Sequence, residues 1–89
     1  MSVITGSVEV LDPIGLHARP ASQIVKLVKE SEIEVLIGRA GEEFAKANSA
    51  LRLMALQIKP GETLVVEVST DNEALGQELI AQIQEFLKG

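Results

Sequence analysis

Cysteine is absent from this 89-residue chain, which excludes a disulfide, a thiolate nucleophile and a zinc–thiolate site. Tryptophan and tyrosine are missing too, and the aromatic residues are Phe44 and Phe86 alone. Any core must therefore be aliphatic. A single histidine argues against a transition-metal centre, so no metal and no cofactor are expected. No apolar run approaches the ~20 residues needed to span a bilayer. The opening MSVITGSVEV alternates where a signal peptide would place a basic and then an apolar stretch. These absences predict a cytoplasmic protein without membrane insertion. Cationic residues are in the minority, eight against thirteen acidic ones, which disfavours general nucleic-acid binding. What is present is 46% hydrophobic residues in a short chain. Too few exist to fill two cores, so residues 1–89 are expected to form one domain.

Ile4, Val8 and Val10 share one parity and Thr5, Ser7 and Glu9 the other, the pattern of a strand with one wet face. Asp12, Pro13 and Gly15 mark a loop over 11–16. Ala21, Ile24, Val25 and Val28 then keep the i, i+3, i+4, i+7 spacing of an amphipathic helix that ends near Ser31. Alternation returns over 32–38 through Ile33, Val35 and Ile37, and residues 43–46 suit a short third strand beyond Gly41. ANSALRLMALQ, residues 47–57, begins a helix at Asn48 or Ser49, too short to persist without tertiary packing. After Pro60 and Gly61, Leu64, Val66 and Val68 predict a fourth strand. Thr70, Asp71 or Asn72 caps a last helix with the stripe Leu75, Leu79, Ile83 and Phe86, joined by Ile80 and Leu87. The order βαββαβα favours an α+β fold, an antiparallel sheet with its helices on one side. Periodicity leaves open a ferredoxin-like sandwich, which begins with the same βαββαβ order.

The lone histidine stands in GLHARPA, residues 15–21, where a strand pattern gives way to a helical one. Pro20 fits a first helical turn, where its missing N–H has no intrahelical partner to lose. The amides of Ala18 and Arg19 are then free to bind an anion, aided by the helix dipole. The same positive end favours the neutral, nucleophilic imidazole. Arg19 adds a guanidinium fork suited to phosphoryl oxygens. The chain contains no Walker-type glycine loop, no acidic Mg²⁺ cluster and no partner base for a catalytic triad. It is expected to hold a phosphoryl group on His17 but not to take one from ATP.

GLHARPA at this place in a βαββαβα chain of this length resembles the HPr family, the histidine-containing phosphocarriers of the bacterial phosphoenolpyruvate-dependent phosphotransferase system. The resemblance covers essentially the whole chain. It implies an open-faced β-sandwich, three helices packed on one face of a four-stranded antiparallel sheet. It also implies that His17 accepts phosphate on Nδ1 from phosphorylated enzyme I and passes it to enzyme IIA domains. Arg19 would assist, and the Ala18 and Arg19 amides would contact the phosphate. Such a protein is a carrier rather than an enzyme.

NSALRLMALQ, residues 48–57, matches the family's second signature, and Ser49 falls on the serine that HPr kinase/phosphorylase modifies in many Gram-positive members. The helix departs from the Gram-positive form at Ala50, Leu51, Arg52, Ala55 and Gln57 and is closer to NPr, the nitrogen-branch paralogue. On the first helix Arg19, Ser22, Lys26 and Lys29 form a polar stripe. With Arg52 they are expected to ring an apolar docking patch of Leu16, Ala50, Leu51, Met54 and Gln57, a local basic surface that steers the carrier to acidic partners. No dimerisation feature is evident, so a monomer is expected. The leading expectation is a sugar-transport carrier, with a nitrogen-branch regulatory carrier as its alternative. Two readings from other classes are a ferredoxin-like ligand-binding module and an acyl carrier protein; the latter is disfavoured by the plain strand patterns and by Asn48 before Ser49.

Overall fold

The computed structural model describes residues 2–89. Each expected alternation becomes a strand and each apolar stripe a helix: β1 (Ile4–Glu9), α1 (Ala18–Ser31), β2 (Val35–Gly38), β3 (Ala45–Lys46), α2 (Ala50–Ala55), β4 (Thr63–Val68) and α3 (Glu73–Phe86). The four strands form one antiparallel sheet in the order β1-β4-β2-β3.

Register explains why one face is buried. Val68 lies between Ile4 and Val35, and Val66 between Gly6 and Ile37. Because side chains alternate across a strand, these residues all point to the side that the helices cover. Thr5, Ser7, Glu9 and Thr63 point the other way and are exposed. Ile24, Leu53, Ile83 and Leu87 descend from the helical layer onto Ile37, Leu64 and Val66, all fully buried. No ring is needed because α3 approaches the sheet closely. A Cβ placed on Gly76 would stand 2.8 Å from Cβ and Cγ1 of Ile4.

Three elements are shorter than the sequence predicts, each for a local reason. β2 begins at Val35 rather than residue 32, because 31–33 close α1 instead. Ser31 Oγ donates to the Val28 carbonyl and accepts the Ile33 amide, and Glu32 takes a left-handed conformation at φ 58°. β3 has two residues, Ala45 and Lys46, opposite Ile37 and Leu36. α2 starts where expected, with Ser49 as its N-cap, and is shortened at its end, where Gln57 turns left-handed at φ 53°.

Arg39 ties this region together. Its Nε and Nη2 donate to the two carboxylate oxygens of Glu62 at 2.6 and 3.0 Å, while Nη1 donates to the Leu56 carbonyl at 3.0 Å. One guanidinium thereby binds the end of β2, the exit of α2 and the turn before β4, in the forked geometry that suits a carboxylate. Arg39 and the Lys59 amide hold the Glu62 carboxyl well below its ordinary value, at about 2. A carboxyl depressed in the folded state stabilises above its unfolded value, and that contribution disappears as pH falls through the folded value. Stability should therefore decline between pH 4.5 and about 2. Glu62→Gln should be less stable at neutral pH and show a flatter acid limb, read by urea denaturation at a series of pH values.

Candidate functional site

The loop between β1 and α1 is fixed from several directions. The Leu87 carbonyl, just past α3, accepts both the Leu11 and Asp12 amides, at 2.9 and 2.8 Å. Asp12 Oδ1 accepts the Ile14 amide at 2.8 Å, and its carbonyl accepts Gly15 N–H at 2.9 Å. This is the local bonding that makes aspartate a turn residue. Gly15 follows at φ 91°, and the Leu16 amide then bonds the Ile58 carbonyl at 3.1 Å. A Cβ on Gly15 would lie 2.5 Å from that same carbonyl oxygen, so the position excludes side chains on two counts.

The curl delivers His17 to the N-cap of α1 with extended backbone, φ −102° and ψ −172°, and no side-chain capping bond. Its carbonyl accepts the Ala21 amide at 3.1 Å. The Ala18 and Arg19 amides find no acceptor among the described residues. His17 and Arg19 line a pocket of ≈ 410 Å³ together with Asp12, Pro20, Glu85 and Phe86. Two unused amides, a guanidinium and an imidazole are thus the groups at this helix start.

One partner was not legible. Asp12, assigned by sequence only to a loop, is 7% exposed and places Oδ2 3.0 Å from His17 Nε2. The Ile14 amide and the His17 ring hold its carboxyl below the usual value, with burial opposing them. Being ionised, it can only accept, so Nε2 is the donor. The ring therefore faces a carboxylate as well as the helix N-terminus. Asp12–His17 is half of a triad-like arrangement, yet Nδ1 has no protein partner among the described residues. It is the only ring nitrogen left available to an incoming group.

Residues 4–88 match the family model described as the PTS HPr component phosphorylation site. The chain belongs to the HPr family. It is 38% identical over 76 residues to phosphocarrier protein HPr of Lysinibacillus sphaericus, covering 83% of each chain. It is 31% identical over 83 residues to phosphocarrier protein NPr of Klebsiella oxytoca, covering 93% of this chain and 90% of that one. Among solved structures, HPr of Bacillus anthracis superposes with a TM-score of 0.80 at 21% identity over 97% of this chain and 98% of that one. A histidine-containing phosphocarrier protein from Mycoplasma gives 0.77 at 28% identity over 90% of each chain. These likenesses decide the fold that periodicity left open in favour of the HPr open-faced sandwich over the ferredoxin-like one. An HPr-family phosphocarrier of the phosphotransferase system is a carrier, not a catalyst.

The docking residues that the HPr resemblance nominates are only partly gathered. Ser22, Lys26, Lys29, Leu51, Arg52 and Gln57 are exposed, and Ala50 and Met54 half-buried. Leu16 requires a correction: it is 5% exposed and belongs to the core, because its amide is drawn inward to Ile58. Lys26 borders a depression shared with Gln82 and Phe86 of α3, whereas Lys29 borders a groove with Lys46 and Asn48. The two lysines thus face different neighbours. Sequence reasoning passed over Ile14, 69% exposed beside the pocket and comparable with Leu51 at 77%. Its signal was an apolar residue between Pro13 and Gly15, with no strand or helix register to bury it.

Ser49 is the N-cap of α2, accepting the Arg52 amide at 3.3 Å. Ser49→Ala should cost about 1 kcal/mol, the usual value of such a cap, measured by urea denaturation. Gly15→Ala should cost on the order of 2 kcal/mol, since it combines a left-handed backbone with a steric clash. A shift in denaturation midpoint is the expected outcome.

Proposed function

We propose that His17 is the phosphate-carrying residue, taking a phosphoryl group on Nδ1 from phosphorylated enzyme I and delivering it to enzyme IIA domains. The observation that carries this reading is the geometry of the ring: Nε2 is engaged by Asp12 at 3.0 Å, and Nδ1 has no protein partner among the described residues, at a helix start whose Ala18 and Arg19 amides are unbonded. The lone pair of Nδ1 attacks phosphorus. The amides and the Arg19 guanidinium receive the phosphoryl oxygens, as donors at a helix start do. Nothing on the chain resembles nucleotide-binding machinery, so partners supply and remove the group.

The branch we propose is sugar uptake, supported by the 38% identity to an HPr. A nitrogen-branch role is favoured by a different observation, the helix 50–55 with its NPr-like residues and NPr relatives matched over 93% of this chain. Ser49, exposed only in part at a helix start, is the residue proposed for regulatory phosphorylation by HPr kinase/phosphorylase. A phosphate there is compatible with the helix dipole and would act by altering the docking surface.

Incubation with phosphoenolpyruvate and enzyme I should give an acid-labile, base-stable adduct on the wild-type chain and none on His17→Ala. Label that survives this substitution would defeat the assignment. Transfer should be faster from the sugar-branch enzyme I than from its nitrogen-branch counterpart, and the reverse order would reassign the branch.

A further inference from the structure

Asp12 is almost wholly buried, carries a charge, and is spent on two bonds, one to the Ile14 amide and one to the His17 ring. The first accounts for a turn. The second does not, since the turn is already closed by Leu87 and by Gly15. A buried carboxylate aimed at the ring that reacts calls for a role in that reaction.

We propose that Asp12 is a positioning residue for phosphoryl transfer, holding the proton of His17 on Nε2 so that the lone pair resides on Nδ1, the ring nitrogen with no protein partner among the described residues. This inference rests on the carrier reading of His17. The chemistry follows from donor and acceptor counts. In a neutral imidazole one nitrogen donates and the other accepts. An ionised carboxylate accepts only, so Oδ2 at 3.0 Å selects the Nε2–H tautomer. When the Nδ1 lone pair forms the bond to phosphorus, the donor's bond to phosphorus breaks and its electron pair leaves with the donor. The Nε2 proton stays where it was, and the ring becomes positive. Asp12 then faces that positive charge directly, while Arg19 and the amides face the phosphoryl oxygens. Glu85 also borders the pocket, with its carboxylate paired to Lys88 at 2.6 Å.

The geometry makes Asp12→Asn informative, because it is isosteric but has one oxygen where aspartate has two. If that oxygen keeps the Ile14 amide, as Oδ1 does at 2.8 Å, the amide NH₂ points at Nε2. It would donate there, shift the ring proton to Nδ1 and remove the nucleophilic lone pair. Asp12→Ala removes the selection altogether and leaves a mixture of tautomers.

Three measurements read this out on the full chain. Long-range ¹H–¹⁵N correlation of the unphosphorylated protein should report Nδ1 as the bare nitrogen in the wild type. It should report a mixed population in Asp12→Ala and a shift toward Nδ1–H in Asp12→Asn. Phosphoryl transfer from enzyme I should fall at least tenfold in both variants, with backbone amide spectra establishing that each remains folded. ³¹P spectra of the adduct should show the Nδ1 isomer alone in the wild type and a contribution from the Nε2 isomer in Asp12→Ala. A wild type labelled on His17, with variants that keep the Nε2–H tautomer and transfer within twofold of its rate, would overturn the inference and leave the carrier reading intact. A wild type that takes no label from a competent enzyme I would overturn both.

Discussion

The Leu87 carbonyl, accepting the Leu11 and Asp12 amides together, is the tie on which the site depends. It joins the end of α3 to the exit of β1, elements brought side by side because Val8 and Ile83 are buried in the same core. From that tie the loop has little freedom. Asp12 closes the turn on Ile14 and Gly15, Gly15 turns left-handed, Leu16 sinks into the core, and His17 arrives at the helix start with its ring against Asp12. Remote packing of an aliphatic helix on a sheet is converted in this way into the orientation of one imidazole.

The aliphatic core suits that purpose. Burial supplies the driving force for folding, but branched side chains also leave few alternative packings. The close crossing of α3 over β1, with Gly76 against Ile4, fixes the height at which Leu87 meets the loop. A larger residue at position 76 would raise the helix and loosen the tie. Arg39 performs a corresponding service close to the same loop, binding β2, α2 and the turn before β4 through one side chain, while Glu62 and Ile58 bond the backbone of Val10 and Leu16. The loop at 11–17 and the turns that follow α2 are therefore both anchored, although neither is regular structure.

Much of this was legible in sequence. The element order, the wet and dry faces of the strands, the helix starts at His17, Ser49 and Asn72 and the buried stripes followed from periodicity and capping chemistry. The free amides before Pro20 followed from proline's own chemistry. Asp12 did not, because its reach to His17 depends on how tightly the intervening residues curl, and that depends on a carbonyl 75 positions away at Leu87. Leu16 was misplaced for a related reason: its backbone bond to Ile58 turns it inward, against the exposed register that a loop residue suggests. The start of β2 moved because Ser31, closing α1 through the Val28 carbonyl and the Ile33 amide, delays the strand to Val35.

The charge distribution around His17 bears on how a carrier releases what it holds. On the proposed role, two amides and Arg19 would attract a phosphoryl group while Asp12 bonds the far side of the ring. Glu85 borders the same pocket but is paired with Lys88 at 2.6 Å, so Asp12 is the carboxylate that offsets the guanidinium. The His17 side chain is 30% exposed, so solvent and partners can reach the ring directly. Tight enclosure with several cations would have made the phosphorylated state a sink. Partial neutralisation in an open cradle, with the ring held rigidly from behind, instead favours a group that is well aimed and weakly retained, which is what passing it onward requires.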